Sequence, residues 1–302
     1  LPMLAFVVIL LDQLEGSERL ALERRTMRDA QALSAAVDRQ LHDMSVTLRL
    51  LATAQELADG DLETFHNRTQ SVLRSSSMFL ILADRDGQQR LNTRVPFGAP
   101  LGPMSDTESL ASALDSNTIE VSDVFFGKTG GQWVFNITMP LPDELANRGA
   151  ALILTQNVET LSRLVKPEGL PEGWSAALID GTGRIILSSD GTASGDAYDQ
   201  RIVSQISGYS GMIPQTSTDA GMIAGYARVP GWSWSVVIAG PVNTAQASLV
   251  STWRLLILGG LLLVMIAIGA AFLLGRQMRN SVVSIAHMAE QLGRGEIVSP
   301  IS

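Results

Sequence analysis

Between residues 16 and 58 the chain is largely polar, but apolar side chains recur every three or four positions. The recurring residues are Leu33, Val37, Leu41, Met44, Leu48 and Leu51. This spacing places them along one side of an α-helix. Gly16–Ala58 contains no proline and no internal glycine, so the pattern predicts a single helix of about 60 Å. Asp59-Gly60-Asp61 ends it, and a short helix is predicted over 62–74.

Two other segments are apolar on all sides. Leu255–Leu274 holds twenty consecutive residues without a charged side chain, and a helix of that length covers about 30 Å, the hydrocarbon thickness of a bilayer. We predict a transmembrane span there, within a helical segment 241–275. Leu1–Leu11 is too short to cross and is interpreted as the end of a truncated first transmembrane helix. Arg276 and Arg279 identify the cytoplasmic end of the second span.

The region between these segments alternates short apolar runs with glycine turns, which is typical of antiparallel strands. The segments ILADRDGQQRLNT (81–93) and ALIDGTGRIILSS (177–189) share one pattern: an apolar strand, an aspartate, a glycine turn and a second strand. Further strands are predicted at 119–126, 131–139 and 150–157, and at 211–214, 222–229 and 234–239. The chain is therefore predicted to be α+β, with two tandem antiparallel sheets of about five strands and flanking helices.

Composition restricts the classes of function. The chain has 302 residues and a formal net charge of −8, so its acidic surface argues against nucleic acid as a partner. It contains no cysteine, which excludes disulfides and thiolate metal sites. His42, His66 and His287 are scattered without metal-ligand spacing. No metal, cofactor or catalytic residue is therefore predicted within this chain.

Two candidate motifs have simpler interpretations. His287 stands on a predicted helix, as a kinase phosphoacceptor would, but SIAHMAEQL lacks the neighbouring residues that activate one, so we interpret it as a surface residue. Asp84-Arg85-Asp86-Gly87 begins like a calcium loop, but the further acidic positions are missing. We interpret this segment as a hairpin turn.

The order of these elements resembles a double Cache extracytoplasmic sensor region, which consists of a long helix and two tandem PAS-like sheets. GYARVPGWSWSVVIAGP (225–241) is similar to the closing strands of such modules, and LADRDGQQRLNTRVPFGAPLG (82–102) resembles sensor regions of alphaproteobacterial histidine kinases of the HWE type. SIAHMAEQLGRGEIVSP (284–300) resembles the first helix of a HAMP-like linker, although the usual early proline is absent.

The resemblance implies a division of the chain into a truncated first span, a long helix for dimerisation and signalling, two sheets, a second span and a linker. The corresponding ranges are 1–11, 12–75, 76–166 for the membrane-distal sheet, 167–240 for the membrane-proximal sheet, 241–275 and 276–302. It also implies a bacterial inner-membrane protein with residues 12–254 in the periplasm and 276–302 in the cytoplasm.

In this family the distal sheet binds a small molecule, so polar or aromatic residues that interrupt its strands are candidate ligand-binding residues. They are Asn92, Arg94, Ser122, Asp123, Phe126, Trp133, Asn136, Thr138 and Gln156. Arg94 is suited to hold a carboxylate bidentately, and Asn136 and Thr138 share a strand face. The alternatives are a structural ion pair for Arg94 and core packing for Trp133. Amino-acid-binding members carry an Arg-x-Trp-Tyr-type motif where this chain has Arg94-Val95-Pro96-Phe97, which argues against amino acid recognition.

The predicted function is the sensory input half of a transmembrane histidine kinase that binds a small extracytoplasmic ligand, with a carboxylate as the candidate. The ligand-binding half of a chemoreceptor or of a diguanylate cyclase is the alternative, and the sequence after Ser302 would discriminate between them. A homodimer is expected, with the apolar stripe Leu33–Leu51 as its interface. Trp232 and Trp234 are assigned to core and membrane-proximal packing.

Overall fold

A computed structural model describes residues 2–165, 170–219 and 221–242, together with 265, 266, 268–270 and 272. The helices are α1 (Pro2–Ala52), α2 (Gln55–Asp59), α3 (Leu62–Leu73), α4 (Glu108–Ser116), α5 (Ser162–Val165) and α6 (Gln200–Val203). The strands are β1 (Met78–Ala83), β2 (Gln89–Asn92), β3 (Glu120–Val121), β4 (Phe125–Gly127), β5 (Gln132–Pro140), β6 (Ala151–Asn157), β7 (Ser175–Ile179), β8 (Ile185–Ser188), β9 (Ser210–Met212), β10 (Met222–Arg228) and β11 (Ser235–Pro241).

The strands form two antiparallel sheets, which confirms the predicted α+β fold. The first sheet has the order β2-β1-β6-β5-β3, with β4 also paired to β5. The second has the order β8-β7-β11-β10-β9. In both sheets the first two strands form a hairpin at one edge, β1-β2 and β7-β8. The last strand of each sheet in chain order, β6 or β11, then pairs with its first strand, β1 or β7. We call the sheets distal and proximal, following the predicted arrangement.

The predicted internal repeat extends to the details of the opening hairpins. Each first strand has a register shift just before its end, between Leu82 and Ala83 and between Leu178 and Ile179. An aspartate then begins the turn, and a glycine three residues later adopts a positive φ, +80° at Gly87 and +82° at Gly183. L side chains rarely adopt this conformation, so both turns require glycine.

Helix α1 packs against both sheets. Its apolar stripe is buried within the chain itself: Val37, Leu41 and Leu48 have no exposed surface, and they share one core cluster with residues of both sheets. Ser34 Oγ donates to Arg228 O (2.7 Å), so the helix is also hydrogen-bonded to β10. The prediction that this stripe forms the dimer interface is therefore wrong. Its apolar side chains are buried in the core of one protomer and cannot contact a second one.

Two elements, the long helix and one strand, differ from the prediction. The long helix ends at Ala52, where the chain turns before α2, and it begins at Pro2 rather than at Gly16. The single strand predicted at 119–126 is interrupted between β3 and β4. There Ser122 Oγ accepts the N–H of Asn136 (2.9 Å), in place of a backbone carbonyl. This side-chain hydrogen bond lets the backbone leave the strand path at Ser122.

Several predictions concern residues outside the described part of the chain. The linker at 276–302 and His287 are among them, as is most of the predicted span at 255–274. A search confined to the described residues finds no helix that is both long and apolar enough to cross a membrane.

Candidate functional site

The outer face of the distal sheet, opposite the face that packs on α1, carries a small cavity of about 50 Å³. Antiparallel register places Phe79, Thr155 and Asn136 side by side across β1, β6 and β5, and residues paired in this way share a face. The lining residues are Phe79, Ile81, Gln89, Asn92, Arg94, Met104, Ser105, Phe125, Gly127, Lys128, Thr129, Gly130, Val134, Asn136 and Thr155.

Buried polar groups form a fixed network on one side of this cavity. Thr155 Oγ1 donates to Asn136 Oδ1 (2.7 Å), and Asn136 Nδ2 donates to Asp106 Oδ2 (3.2 Å). Asp106 also accepts from the backbone N–H of Ser109 (3.1 Å), in the first turn of α4. Because each of these side chains holds the next one, Asn136 presents its amide to the cavity in a fixed orientation.

Arg94 contributes the charge of the site. Its half-buried guanidinium lies over the ring of Phe79, with Cζ 4.5 Å from the ring centroid. Asn92 Oδ1 accepts the N–H of Arg94 (2.9 Å) and so fixes the backbone at this residue. Within the described part of the chain, the guanidinium has no hydrogen-bonded or ion-paired acceptor. By contrast, Arg90 pairs with Asp84 at 2.6 Å.

The glycine turn between β4 and β5 closes the cavity over Arg94. A Cβ built on Gly130 would lie 2.0 Å from Cζ of Arg94, so only glycine leaves room for the guanidinium in this position. A cavity of about 50 Å³ admits a few water molecules. A larger ligand therefore requires a shift of Arg94 or of the turn 127–131.

The structure brings three of the nine predicted ligand-binding residues together at this cavity, namely Asn92, Arg94 and Asn136. Thr138 lies on the same face of β5 but is fully buried, and its hydroxyl has no partner among the described residues. Gln156 is also buried, with the register partners Met78 and Phe135 on the opposite face.

The other four predicted residues lie toward the proximal sheet. Phe126 and Trp133 stack edge to face, with centroids 5.7 Å apart, on the face of β5 opposite the cavity. Trp133 packs on Gly195, where a Cβ would lie 2.1 Å from its ring. Ser122 and Asp123 line an open cleft of about 660 Å³ that α4 and the Asp180 turn also border.

Sequence reasoning missed most of the lining, including Phe79, Thr155 and Phe125. Phe79 and Thr155 reach the site only because β6 inserts between β1 and β5, and this pairing joins segments far apart in sequence. A usable signal existed in Gly127-Lys128-Thr129-Gly130, which places a cation in a glycine turn.

The corresponding face of the proximal sheet has a different composition. Its side chains form an apolar cluster of Ile179, Ile185, Ile202, Ile213, Ala224, Tyr226, Val237 and Ala239, with Tyr198, Val203 and Ile206 packed against it. Apolar side chains fill this face where the distal sheet carries Asn136, Thr155 and Arg94. Because the two sheets share a topology, this difference identifies the distal cavity as the candidate binding site.

Two aspartates connect the sheets by a reciprocal pair of hydrogen bonds. Asp123 Oδ1 accepts the N–H of Gly181 (2.9 Å), and Asp180 Oδ2 accepts the N–H of Val124 (3.1 Å). Burial raises the pKa of the Asp123 carboxyl, and the nearby Asp180 carboxylate raises it further. The folded protein therefore binds a proton at Asp123 more tightly than the unfolded chain does.

We expect Asp123→Asn to raise the midpoint of thermal unfolding at neutral pH. A raised pKa in the folded state means that ionised Asp123 destabilises the fold, and the stabilising protonated form is lost as pH rises above about 4. The asparagine retains an acceptor for Gly181, so the advantage over wild type should shrink as pH falls toward about 4. Scanning calorimetry across this pH range measures the difference.

Asp199→Asn is the control of opposite sign for this experiment. The hydrogen bond from Arg201 lowers the pKa of the Asp199 carboxyl, so this carboxylate stabilises the fold when it is ionised. Its replacement should lower the midpoint at neutral pH, with a loss that disappears in acid. Equal shifts of one sign in both variants would contradict the assignment of Asp123.

Comparison with known proteins identifies the family. The model of the Cache domain family matches residues 12–249, so the chain belongs to this family. Cache domains are extracellular sensor domains of membrane-bound receptors. A search of curated proteins gives no significant match.

Solved structures with the same fold include sensor domains of a histidine kinase and of chemoreceptors. The extracellular domain of rpHK1S-Z16, described as a histidine kinase, is 18% identical with a TM-score of 0.53, over 75% of this chain and 97% of that one. The ligand-binding domain of the Pseudomonas aeruginosa PAO1 amino acid chemoreceptor PctB, in complex with L-Arg, is 15% identical with a TM-score of 0.55, over 75% of this chain and 97% of that domain. The sensory domain of the Campylobacter jejuni chemoreceptor Tlp3, with isoleucine bound, is 13% identical with a TM-score of 0.54, over 76% of this chain and 96% of that domain. At these identities the likeness shows a shared fold.

Proposed function

We propose that the distal cavity binds a small carboxylate. The observation that carries this proposal is the charge of the lining. Among the described residues that form it, Arg94 and Lys128 are cationic and no member is Asp or Glu, although the chain as a whole has a net charge of −8. A guanidinium without an internal acceptor offers two parallel N–H donors to a carboxylate.

The polar side of the cavity gives the ligand an orientation. With its carboxylate on Arg94, a small molecule extends toward Asn136, Thr155 and Ser105, which offer amide and hydroxyl groups. Phe79 and Phe125 supply apolar walls. This combination of apolar walls with a few convergent polar groups is typical of small-molecule sites.

We further propose that the chain is the sensory half of a transmembrane histidine kinase of the HWE type in the bacterial inner membrane, and that it acts as a homodimer. Residues 12–254 would lie in the periplasm, and ligand binding would be signalled through 255–274 to a HAMP-like segment at 276–302. A ligand can bias such a receptor only by its differential affinity for the two states. The extracellular domain of rpHK1S-Z16 has the same fold and comes from a protein described as a histidine kinase, which supports this assignment.

The alternative is the ligand-binding half of a chemoreceptor. It is favoured by the amino acids held in the chemoreceptor domains PctB and Tlp3, and a diguanylate cyclase would share the same input half. The encoded sequence after Ser302 discriminates among them. A phosphoacceptor helix with an ATPase domain supports the kinase, whereas a long methylated coiled coil or a cyclase domain contradicts it.

A thermal-shift screen tests the binding proposal. The panel pairs small carboxylates, including acetate, propionate, lactate and several amino acids, with their neutral amides. We expect at least one carboxylate to raise the unfolding midpoint, because a ligand that binds only the folded state stabilises it. A panel in which no carboxylate does so at millimolar concentration would contradict the proposal.

A further inference from the structure

Helix α3 holds the backbone on both sides of Arg94 through two of its side chains. His66 Nε2 lies 2.9 Å from Val95 O and 3.3 Å from Asn92 O. Gln70 Nε2 donates to Thr93 O at 2.7 Å. Three of the four carbonyls in the segment 92–95 therefore accept hydrogen bonds from one face of α3, where residues four apart are neighbours.

The chemistry of His66 determines its role in this arrangement. Its side chain is 1% exposed, and Nε2 faces two backbone carbonyls, which can only accept. Nε2 must therefore carry the proton. The ring of Phe97 stacks on the imidazole edge to face, with centroids 5.6 Å apart, so the segment that follows Arg94 also rests on His66.

The same segment is held to the sheet on its other side. Thr93 N donates to Leu80 O and Thr93 Oγ1 accepts from Leu80 N, both at 2.9 Å. The backbone of Arg94 therefore lies between two residues held by hydrogen bonds, Thr93 and Val95. Its side chain extends over Phe79 into the cavity. Without these hydrogen bonds, the segment 92–95 would move and the long side chain of Arg94 would sample many conformations.

We propose that His66 and Gln70 are positioning residues for carboxylate recognition by Arg94. Neither residue lines the cavity, so neither touches the ligand. They fix the loop that bears the guanidinium, and a preorganised site loses less conformational entropy on binding. This inference rests on the proposed function, because it assigns Arg94 as the ligand's anchor.

Two measurements on the whole 302-residue chain test the proposal in the variants Gln70→Met and His66→Leu. The first is hydrogen exchange of the peptide spanning 92–99, which we expect to accelerate about tenfold because each lost hydrogen bond frees the loop. The second is the ratio of affinities for a carboxylate and its neutral amide. The pair is propionate and propionamide, or, if wild type binds these two equally, the pair from the thermal-shift panel that wild type distinguishes most. We expect the preference for the carboxylate over the amide to fall about three- to tenfold in both variants, because a misplaced guanidinium no longer forms two parallel hydrogen bonds with the carboxylate.

Conservative and matched controls separate positioning from simple destabilisation. His66→Gln retains an N–H donor and should restore both measurements toward wild type. Gln55→Met removes another helical glutamine hydrogen bond, to Asp59 Oδ1 at 2.8 Å, and should change neither. A general loss of stability would accelerate exchange throughout the chain without changing the affinity ratio, and that result would overturn the proposal.

The outcomes also distinguish this inference from the proposed function. If wild type prefers the carboxylate of that pair and both variants keep the same preference, the positioning role is wrong while the proposed function stands. If wild type binds every carboxylate of the panel no more tightly than its neutral amide, Arg94 is not the anchor, and the proposed function fails together with the positioning role.

Discussion

Replacing Arg94 with alanine is expected to weaken binding of a small carboxylate by about 30- to 150-fold. A hydrogen bond to a charged group contributes about 1.5–3 kcal/mol, and the upper part of this range applies because the pair would be bidentate and partly desolvated. The fold should tolerate the change, since within the described residues the Arg94 guanidinium has no hydrogen bond or ion pair to lose, and its contact with Phe79 is worth about 0.5–1 kcal/mol. Isothermal titration of a carboxylate from the screen measures the effect.

Two further variants sharpen the Arg94 experiment. Arg94→Lys keeps the charge but not the planar pair of donors, so its affinity should be intermediate. Arg85→Ala removes an exposed arginine of the neighbouring turn and should leave binding unchanged. Equal losses in Arg94→Ala and Arg85→Ala would indicate a general electrostatic effect instead of a site.

Replacing Trp234 with alanine is expected to destabilise the fold by about 3–5 kcal/mol, the range for large buried aromatic residues. Trp234 has no exposed surface. Its ring stacks on Phe135 of the distal sheet, with centroids 4.9 Å apart, and its Nε1 donates to Ser122 O at 3.1 Å. The alanine variant leaves a cavity between the sheets and an unpaired carbonyl. Chemical denaturation followed by circular dichroism measures the loss.

Trp232 is the matched control for this second experiment. It is half-buried, and its Nε1 donates to Asp38 on α1 at 3.1 Å. Trp232→Ala should cost less than Trp234→Ala, and Trp234→Phe should cost an intermediate amount because it keeps a ring against Phe135. A loss at Trp232 as large as that at Trp234 would contradict the role of Trp234 as a buried contact between the sheets.

The position of Trp234 shows what the sequence could predict and what it could not. Its alternation with Val236 and Ile238 predicted a strand with a buried face, and this strand is β11. However, the pattern could not reveal its partner, because Ser122 is more than a hundred positions away. Trp234 lies in the core, as predicted, and its contacts with Phe135 and Ser122 show that this core extends to the other sheet.

The same limit applies to the candidate site. Arg94 and Asn136 were predicted because each places a polar group where a strand would carry an apolar one, and both line the cavity. Gln156 was predicted for the same reason, and Trp133 as an aromatic residue of the same strands, but both lie on the opposite face. Side-chain direction alternates along a strand, so a shift of one residue in register decides whether a polar group faces the ligand or the core. Register depends on strand pairing, which the local sequence does not contain.

The long helix shows the same dependence on an unknown partner. An apolar stripe predicts that a helix packs against something, and the stripe Leu33–Leu51 does so. The sequence pattern is identical whether the partner is a second protomer or a sheet of the same chain. Only the tertiary structure shows that both sheets cover the stripe.

The central claim is that Arg94 makes the distal cavity selective for a carboxylate. The most direct test is calorimetric titration of wild type with each carboxylate from the screen and with its neutral amide, which has nearly the same size and shape. We predict that at least one carboxylate binds 30-fold or more tightly than its amide, on the order of the 2 kcal/mol expected for a charge-assisted pair. Equal affinities for every such pair would contradict the claim.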